Sequence, residues 1–314
     1  MTAPLRATET MPGLHPELAA LLAVPAAGGP TVAEARAAFL ARYSAVPRVE
    51  VAHVEDRAIE GPLGSLRLRI YRPDLGEVRP VLVYLHGGGF VLGDLDSHDA
   101  LCRRLCHESR TVVVSVDYAL APEHRFPAGL EDCIAAVRWV ARHARAIGGD
   151  PGRLALGGDS AGANLAIACA LQSRGSGGPV FAALLLAYPV TDAPDRSRPS
   201  YSERGEGFGL TAAAMYWFFD HYLDDPARAD APLVSPLHAQ DLSGLPPAWL
   251  LTAEFDPLRD EGRAFAERLS RAGVAVEHVH FPDVNHGFLA WAGTNEPSAR
   301  GIAAVCDWLK TRLA

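Results

Sequence analysis

Ser160 lies at the centre of the sequence Gly-Asp-Ser-Ala-Gly over residues 158–162, which fits the pattern G-x-S-x-G. A predicted strand at 153–156 comes directly before this sequence, and a predicted helix begins at Ala161. A turn this tight between strand and helix needs small residues on both sides, and it leaves the central hydroxyl exposed at the carboxyl end of the sheet. The pattern predicts a nucleophilic serine. The alternative interpretation is that Ser160 only caps the helix.

Three consecutive glycines follow another predicted strand, in the sequence His-Gly-Gly-Gly-Phe over residues 86–90. Glycines destabilise regular structure unless the backbone itself must approach another group. Backbone N–H groups in such a loop stabilise the negative oxygen of a tetrahedral intermediate in a dry pocket. The run therefore predicts an oxyanion site, with an ordinary glycine turn as the alternative. Together with the Ser160 turn it is a more specific signal, because both end neighbouring strands of one sheet.

A serine nucleophile needs a base, and the base needs a carboxylate that orients it. Asp256 and His286 follow the last two predicted strands, and a glycine comes after the histidine. The chain order Ser, Asp, His is that of α/β-hydrolases, so Ser160, Asp256 and His286 are predicted to act together. His278 and His280 lie inside a predicted strand at a spacing of two, and we interpret them as residues that line one face of it.

Four other carboxylates compete for the orienting role: Asp159, Glu254, Asp260 and Glu261. Asp159 immediately precedes the serine and would be poorly aimed at a distant imidazole. We therefore expect Asp159 to be a structural, hydrogen-bonding residue.

From residue 51 onward the chain alternates predicted strands and helices. The strands are predicted at 51–55, 66–71, 80–85, 111–116, 153–156, 181–187, 248–252 and 274–280. The helices are predicted at 97–108, 128–147, from 161, at 259–271 and at 297–313. Several strands are continuously apolar, which implies a sheet buried on both faces. The alternation predicts an α/β fold with a mostly parallel central sheet flanked by helices.

Two segments break this alternation. Helical runs at 14–24 and 32–43 precede the first strand, while a Pro-rich loop at 191–201 leads to an aromatic helical stretch at 211–222. Both segments carry more apolar surface than solvated helices should expose, so we expect them to roof the carboxyl edge of the sheet. The alternative is that the aromatic side chains fill only the core of the cap itself.

These breaks predict four parts of the chain: an N-terminal helical cap segment at 1–50, a first core part at 51–190, a cap insertion at 191–223 and a second core part at 224–314. Four aromatic residues are expected to line the substrate pocket: Phe90, Trp217, Phe218 and Phe288.

Composition narrows the partners and the compartment. The 314 residues are 49% hydrophobic and carry a formal net charge of −8, with a single lysine at 310, so nucleic acid is not an expected partner. No apolar stretch is long enough for a membrane span, and the first thirteen residues lack the pattern of a secretory signal. Five cysteines without a C-x-x-C motif predict reduced thiols, no metal site and a cytoplasmic location.

Taken together, the motifs resemble those of the bacterial hormone-sensitive-lipase-like esterases, often called family IV. The matching segments are residues 86–99, 117–128, 158–164, 256–261 and 286–288. The resemblance covers about residues 50–314 and implies the α/β-hydrolase fold with a helical cap. One departure is Ala119, where the family usually has a longer, often basic residue, and we expect it to affect local packing only. Residues 1–50 match the family only in being helical.

The resemblance also implies roles for individual residues. Ser160 would be the nucleophile, His286 the base and Asp256 the residue that orients the base. The N–H groups of Gly88, Gly89 and Ala161 would form the oxyanion hole, because these residues occupy the matching positions of the family's motifs. The same resemblance suggests a homodimer formed through the last strand or the closing helix.

The expected function is hydrolysis of short- to medium-chain carboxylic esters by a serine carboxylesterase, through an acyl-enzyme and without a cofactor. An amidase, a lactonase or a carbamate hydrolase with the same triad is the nearest alternative. A ligand-binding receptor on a hydrolase fold is a remote alternative, because it would have lost a catalytic residue that this chain retains. The expected partner is a small ester substrate.

Overall fold

The computed structural model describes residues 13–23, 31–174, 177–193 and 197–314. Within these residues eight strands form one sheet: β1 (His53–Gly61), β2 (Gly64–Arg72), β3 (Arg79–Leu85), β4 (Val112–Asp117), β5 (Gly149–Asp159), β6 (Ala183–Ala187), β7 (Ala248–Phe255) and β8 (Val276–Asn285). The order across the sheet is β1-β2-β4-β3-β5-β6-β7-β8. Strands β1 and β2 are antiparallel to their neighbours, and all the others are parallel. The predicted α/β-hydrolase fold is confirmed.

The α-helices in the described part of the chain are α1 (Pro16–Ala23), α2 (Val32–Ser44), α3 (Asp99–Ser109), α4 (Ala128–His143), α5 (Ala161–Ser173), α6 (Pro199–Arg204), α7 (Ala212–Tyr222), α8 (Arg259–Arg271) and α9 (Glu296–Arg312). Short 3₁₀ turns cover Ala144–Ile147, Pro226–Arg228, Pro236–His238 and Phe288–Trp291. Residue 24, where the first helical run was expected to end, and the first twelve residues lie outside the described residues, as do residues 194–196 of the predicted loop.

The sheet separates two hydrophobic layers, because successive side chains of a strand point to opposite faces. In β3, Val81, Val83 and Leu85 contact the layer that contains α4, α5 and α8. Leu82 and Tyr84 contact the opposite layer, which contains α3 and α9. A sheet covered on both faces explains why the central strands are continuously apolar.

Several predicted boundaries were wrong. Strand β8 continues to Asn285 instead of ending at 280, because Pro282 lies on an edge strand, where a missing N–H is tolerated. Strand β5 begins at Gly149, since its Gly- and Pro-rich start pairs with Arg79 across a register shift. The end of the predicted 191–201 loop is helical, as α6 starts at Pro199, a residue type that favours the first turn of a helix.

The β1–β2 hairpin is also longer than predicted. Strand β1 was expected to end at 55 but continues to Gly61, and polar side chains on both of its faces hide the alternation of apolar residues. The remaining predicted strands and helices agree with the structure to within a few residues. Strand β6 pairs with β7, so one sheet continues across the 191–223 segment, as expected.

The N-terminal helix α2 is attached to the core by Arg36. Its guanidinium donates to the carbonyl oxygens of Val91 at 2.8 Å and Ala121 at 2.8 Å, and it forms a two-pronged ion pair with Glu123. Thr31 and Glu34 form a capping box at the start of the helix. These contacts place α2 against the segments that follow β3 and β4.

Asn164 joins two distant parts of the segment between β6 and β7. This side chain on α5 is fully buried, and its Nδ2 donates to Val190 O at 3.0 Å and to Val234 O at 2.8 Å. Replacing it by Ala should therefore leave two buried carbonyls without a donor and lower the free energy of unfolding by about 2 to 4 kcal/mol, measured by urea denaturation.

Asn164→Asp is the matched test of the donor, because it keeps the shape of the side chain but removes the amide hydrogens. It should destabilise the protein at least as much as the Ala variant. A loss below about 1 kcal/mol in both variants would show that these carbonyls do not depend on Asn164.

Candidate active site

Ser160 lies in the turn between β5 and α5, with φ 55° and ψ −120°. The neighbouring backbone leaves no room for side chains: a Cβ on Gly162 would lie 1.9 Å from Leu85 O, and one on Gly158 would lie 2.2 Å from the same oxygen. The Ser160 side chain makes no hydrogen bond that caps α5, so the interpretation of Ser160 as a side-chain cap is wrong. Both glycines are therefore required by close packing against β3.

The structure brings the three predicted residues together. His286 Nε2 lies 2.9 Å from Ser160 Oγ, and His286 Nδ1 lies 2.7 Å from Asp256 Oδ2. Asp256 follows the end of β7, and His286 follows the end of β8. The Asp256 carboxylate can only accept a hydrogen bond, so Nδ1 of His286 must be the donor. This leaves Nε2 as the atom available to accept the serine proton.

The surroundings of this trio keep it in place. Asp256 is completely buried, and its Oδ1 accepts a hydrogen bond from Leu258 N at 2.8 Å. The imidazole of His286 is about a tenth exposed. Its ring packs against Tyr188, with 4.8 Å between the ring centroids. A buried carboxylate and a packed ring limit the motion of the imidazole.

The glycine loop (residues 86–92) follows β3, next to β5 in the sheet. Gly88 and Gly89 have φ values of 122° and 62°, which residues other than glycine rarely adopt. Leu92 N and Val91 N both donate to Gly88 O, at 2.8 and 3.2 Å, so the loop forms a tight turn. Among the described residues, no hydrogen bond engages the N–H groups of Gly88, Gly89 or Ala161.

Asp159 is a hydrogen-bonding residue, as expected. It is buried, and its Oδ1 accepts from Tyr84 Oη at 2.8 Å and from Gly87 N at 3.0 Å. His98 Nε2 lies 3.6 Å from the same oxygen. Burial acts to raise the pKa of the Asp159 carboxyl, but the interactions with His98 and Tyr84 outweigh it and hold this pKa below its usual range.

The four aromatic residues expected at the pocket have different positions. Phe218 contacts the glycine loop, since a Cβ on Gly89 would lie 2.3 Å from its ring. Trp217 packs edge-on against Phe218, with 5.3 Å between the centroids, and against His221 at 4.3 Å. The structure thus places the Phe218 ring directly at the glycine loop and the Trp217 ring against Phe218.

Phe90 and Phe288 belong to the hydrophobic core instead, which differs from the expected position at the pocket. Phe90 is buried and stacks on Tyr222, with 3.8 Å between the centroids. Phe288 is completely buried and packs against Phe281 at 5.4 Å. Phe90 comes directly after the three glycines, and Phe288 comes two residues after His286. Both rings nevertheless point into the core, because apolar side chains cover them.

Tyr188 was not predicted as part of the site. It directly follows β6 and has a φ of 36°, an uncommon value for a residue other than glycine. It is buried beside His286. Because β6 lies next to β5, the residue after β6 shares the carboxyl edge with Ser160, and this positional rule could have identified it.

Asn285 is a second residue that sequence reasoning passed over. It ends β8, next to His286, and its Nδ2 donates to Phe208 O at 3.1 Å. A Cβ on Gly209 would lie 3.2 Å from the same nitrogen. Asn285 therefore connects the loop between α6 and α7 with the strand that carries the histidine.

His278 and His280 lie on β8, as expected, and both contact Thr252 Oγ1, at 2.8 and 3.1 Å. The five cysteines are free and buried. Within the described ranges, no group of three or more His, Cys, Asp or Glu side chains could hold a metal ion. None of the helices in the described part of the chain has the length and apolar content needed to cross a bilayer.

A cavity of about 460 Å³ lies behind the glycine loop, between α2 and the segments that follow β3 and β4. It is lined by Arg36, Phe39, Leu40, Gly93, Asp94, Ser97, Asp117, Tyr118, Leu120, Glu123 and His124. None of the three hydrogen-bonded residues Ser160, His286 and Asp256 lines it, so this cavity is separate from the site.

The chain matches the profile of the alpha/beta hydrolase fold family over residues 82–290. It belongs to this family. The carboxylic ester hydrolase LipN of Mycobacterium tuberculosis is 45% identical over 291 residues, which cover 90% of this chain and 77% of LipN. The ethyl acetate hydrolase of Pseudomonas putida is 41% identical over 255 residues, which cover 79% of each protein.

The solved structures to which the chain is similar also include esterases. An esterase from Pyrobaculum calidifontis superposes with a TM-score of 0.88 at 40% identity, covering 95% of this chain and 98% of that one. The resemblance to esterases is therefore confirmed. The class of enzyme that the chain shares with these relatives is that of the carboxylic ester hydrolases.

His86 makes the stability of the fold depend on pH. It is completely buried, and burial, followed by the nearby His98, lowers the pKa of its imidazole to about 4. In the unfolded chain the pKa is 6.5, so below that pH the unfolded state binds a proton that the folded state does not. The contribution of His86 to the free energy of unfolding is fully present above pH 6.5 and is lost as the pH falls towards 4.

We therefore expect the free energy of unfolding to fall by up to about 3 kcal/mol between pH 6.5 and 4 through this group. Urea denaturation at a series of pH values measures the slope. In His86→Gln, which cannot titrate, the slope should be reduced by this amount. An unchanged slope in the variant would show that other groups cause the acid sensitivity.

Proposed function

We propose that the chain is a serine carboxylesterase that hydrolyses uncharged esters of short to medium acyl chains through an acyl-enzyme. The observation that carries this proposal is the continuous set of hydrogen bonds from Ser160 through His286 to Asp256, at 2.9 and 2.7 Å. Nucleophile, base and orienting acid are within hydrogen-bond reach of one another, which is the geometric requirement for acyl transfer.

In the acylation step, Ser160 Oγ attacks the ester carbonyl carbon while His286 Nε2 takes the hydroxyl proton. The C=O bond becomes a C–O⁻ single bond in the tetrahedral intermediate. When this intermediate collapses, His286 gives its proton to the leaving alkoxide, and an alcohol departs. A water molecule then attacks the acyl-enzyme with the same base, which releases the acid and restores Ser160.

The N–H groups of Gly88, Gly89 and Ala161 are proposed to stabilise the oxyanion. Two observations support this. None of the three is engaged in a hydrogen bond within the described part of the chain, and Ala161 lies at the start of α5, where unpaired N–H groups face outward. Donors that are fixed in advance and shielded from water stabilise developing charge most strongly.

The cap is proposed to consist of residues 1–50 and 191–223, and to cover the carboxyl edge of the sheet between the core parts at 51–190 and 224–314. The contacts of Arg36 with Val91 and Ala121 support this for the N-terminal part. The contact of Phe218 with Gly89 supports it for the insertion. On this basis Phe218, against which Trp217 packs, limits the space for the acyl chain.

Simple esters are the preferred substrates in this proposal, and a related ethyl acetate hydrolase supports the choice. Amides, lactones and carbamates remain the second class, because the same triad attacks all of them. We further propose a cytoplasmic location, which five free, buried cysteines support. We also propose a homodimer formed through the edge strand β8 or the closing helix α9.

Replacing Ser160 or His286 by Ala should each lower kcat/KM by about 10⁴-fold or more, and the double variant should lose little beyond that, because the residues act as a unit. Asp256→Asn should also cost about 10⁴-fold while the fold remains intact. The measurement is hydrolysis of a panel of p-nitrophenyl esters, amides and lactones, with circular dichroism as the folding control. Near wild-type turnover by Ser160→Ala would refute the proposed nucleophile.

The acyl-chain preference should depend on Phe218. Each methylene that the pocket buries should add up to about 0.8 kcal/mol, roughly fourfold in kcat/KM, until the chain meets this ring. Phe218→Ala should move the maximum to acyl chains one or two carbons longer, with little change on acetate. Trp217→Ala is the matched comparison and should shift the maximum less, because its ring packs against Phe218 and His221. An unchanged maximum with equal losses on all chain lengths would show that both rings only stabilise the cap.

A further inference from the structure

The triad leaves one buried carboxylate of the site without a function. Asp159 directly precedes Ser160 and ends β5, yet its side chain turns away from the imidazole towards the strand next to it. There its Oδ1 accepts a hydrogen bond from Gly87 N at 3.0 Å. Gly87 is the residue before Gly88, so this hydrogen bond joins the nucleophile turn to the glycine loop.

The fit between these two segments is tight on the other carboxylate oxygen as well. A Cβ on Gly87 would lie 2.3 Å from Asp159 Oδ2 and 3.0 Å from Asp159 O. The φ of Gly87 lies outside the left-handed region, so contact with Asp159, and not backbone conformation, requires glycine here. The position of the loop backbone is thus determined from two sides by one side chain.

Other buried side chains hold the carboxylate itself. Tyr84 Oη donates to Oδ1 at 2.8 Å, and His98 Nε2 lies 3.6 Å from the same oxygen. His98 is almost fully buried, with Phe39 of α2 stacked at 6.0 Å and His86 at 5.2 Å. The carboxylate therefore has a fixed position inside the protein.

We infer that Asp159 is a positioning residue for the oxyanion hole, which acts by holding Gly87 N–H and thereby setting the direction of the N–H groups of Gly88 and Gly89. This inference rests on the proposed function, since it assumes that these two groups bind the oxyanion. It assigns Asp159 an effect on the transition state, in which the oxyanion exists, and not on the binding of the neutral ester.

Asp159→Ala, Asp159→Asn and Tyr84→Phe test the inference. The Ala variant removes the acceptor for Gly87 N–H, whereas Asn keeps an oxygen in place of Oδ1. Tyr84→Phe is the matched control, because it removes the other hydrogen bond to the same oxygen without touching the loop. The two readouts are steady-state kinetics on a p-nitrophenyl ester and inhibition by an alkyl trifluoromethyl ketone, which adds to Ser160 Oγ and forms a tetrahedral oxyanion.

Asp159→Ala should lower kcat by about 10- to 100-fold with KM changed less than about threefold, because a small misalignment of the donors affects only the transition state. The Ki of the ketone should rise by the same factor as kcat/KM falls. Asp159→Asn should recover most of both losses, and Tyr84→Phe should change both by much less than Asp159→Ala.

Two results would overturn the inference: a folded Asp159→Ala with wild-type kcat and ketone Ki, or equal losses in the Ala and Asn variants. If Asp159→Ala does not fold, Gly87→Ala disturbs the same contact from the loop side and should give the same parallel loss. Failure of the proposed function is recognised separately, by ester turnover in Ser160→Ala or by a ketone that does not inhibit the wild-type enzyme.

Discussion

The left-handed backbone of Ser160 is the constraint on which the rest of the site depends. A residue other than glycine with φ 55° has a strained backbone. The turn exists only because Gly158 and Gly162 allow the backbone to lie against Leu85 O. This contact joins β5 and α5 to the end of β3. The strand that precedes the glycine loop therefore lies next to the strand that precedes Ser160 in the sheet.

The parallel arrangement of the strands then collects the remaining groups. Four neighbouring strands, β5 to β8, end at the same edge, so the residues that follow them meet even though they are far apart in sequence. Ser160, Tyr188, Asp256 and His286 each follow one of these strands. Each added strand contributes one side chain to the site, and the loops between them are free to vary without disturbing these positions.

This dependence explains how much of the protein could be predicted from its sequence. Ser160 and the glycine loop were predictable because local turn geometry requires glycines at set spacings, and His286 because it follows a strand. The burial of Phe90 was not, since it depends on stacking with Tyr222, a residue from a distant segment. The extension of β8 past Pro282 was likewise hidden, because a proline usually ends a strand and only an edge position tolerates it.

Beneath the site, the structure buries the polar side chains of His86, His98 and Asp159. His86 is kept neutral by burial, while Asp159 remains charged because Tyr84 and His98 contact it. Burying such groups is costly unless each has partners, and this arrangement gives the carboxylate partners on several sides. The benefit is rigidity: a loop built of glycines has little intrinsic order, so the direction of its N–H groups has to be determined by the polar side chains packed around it. The flexibility of the glycine loop thus makes these buried contacts necessary.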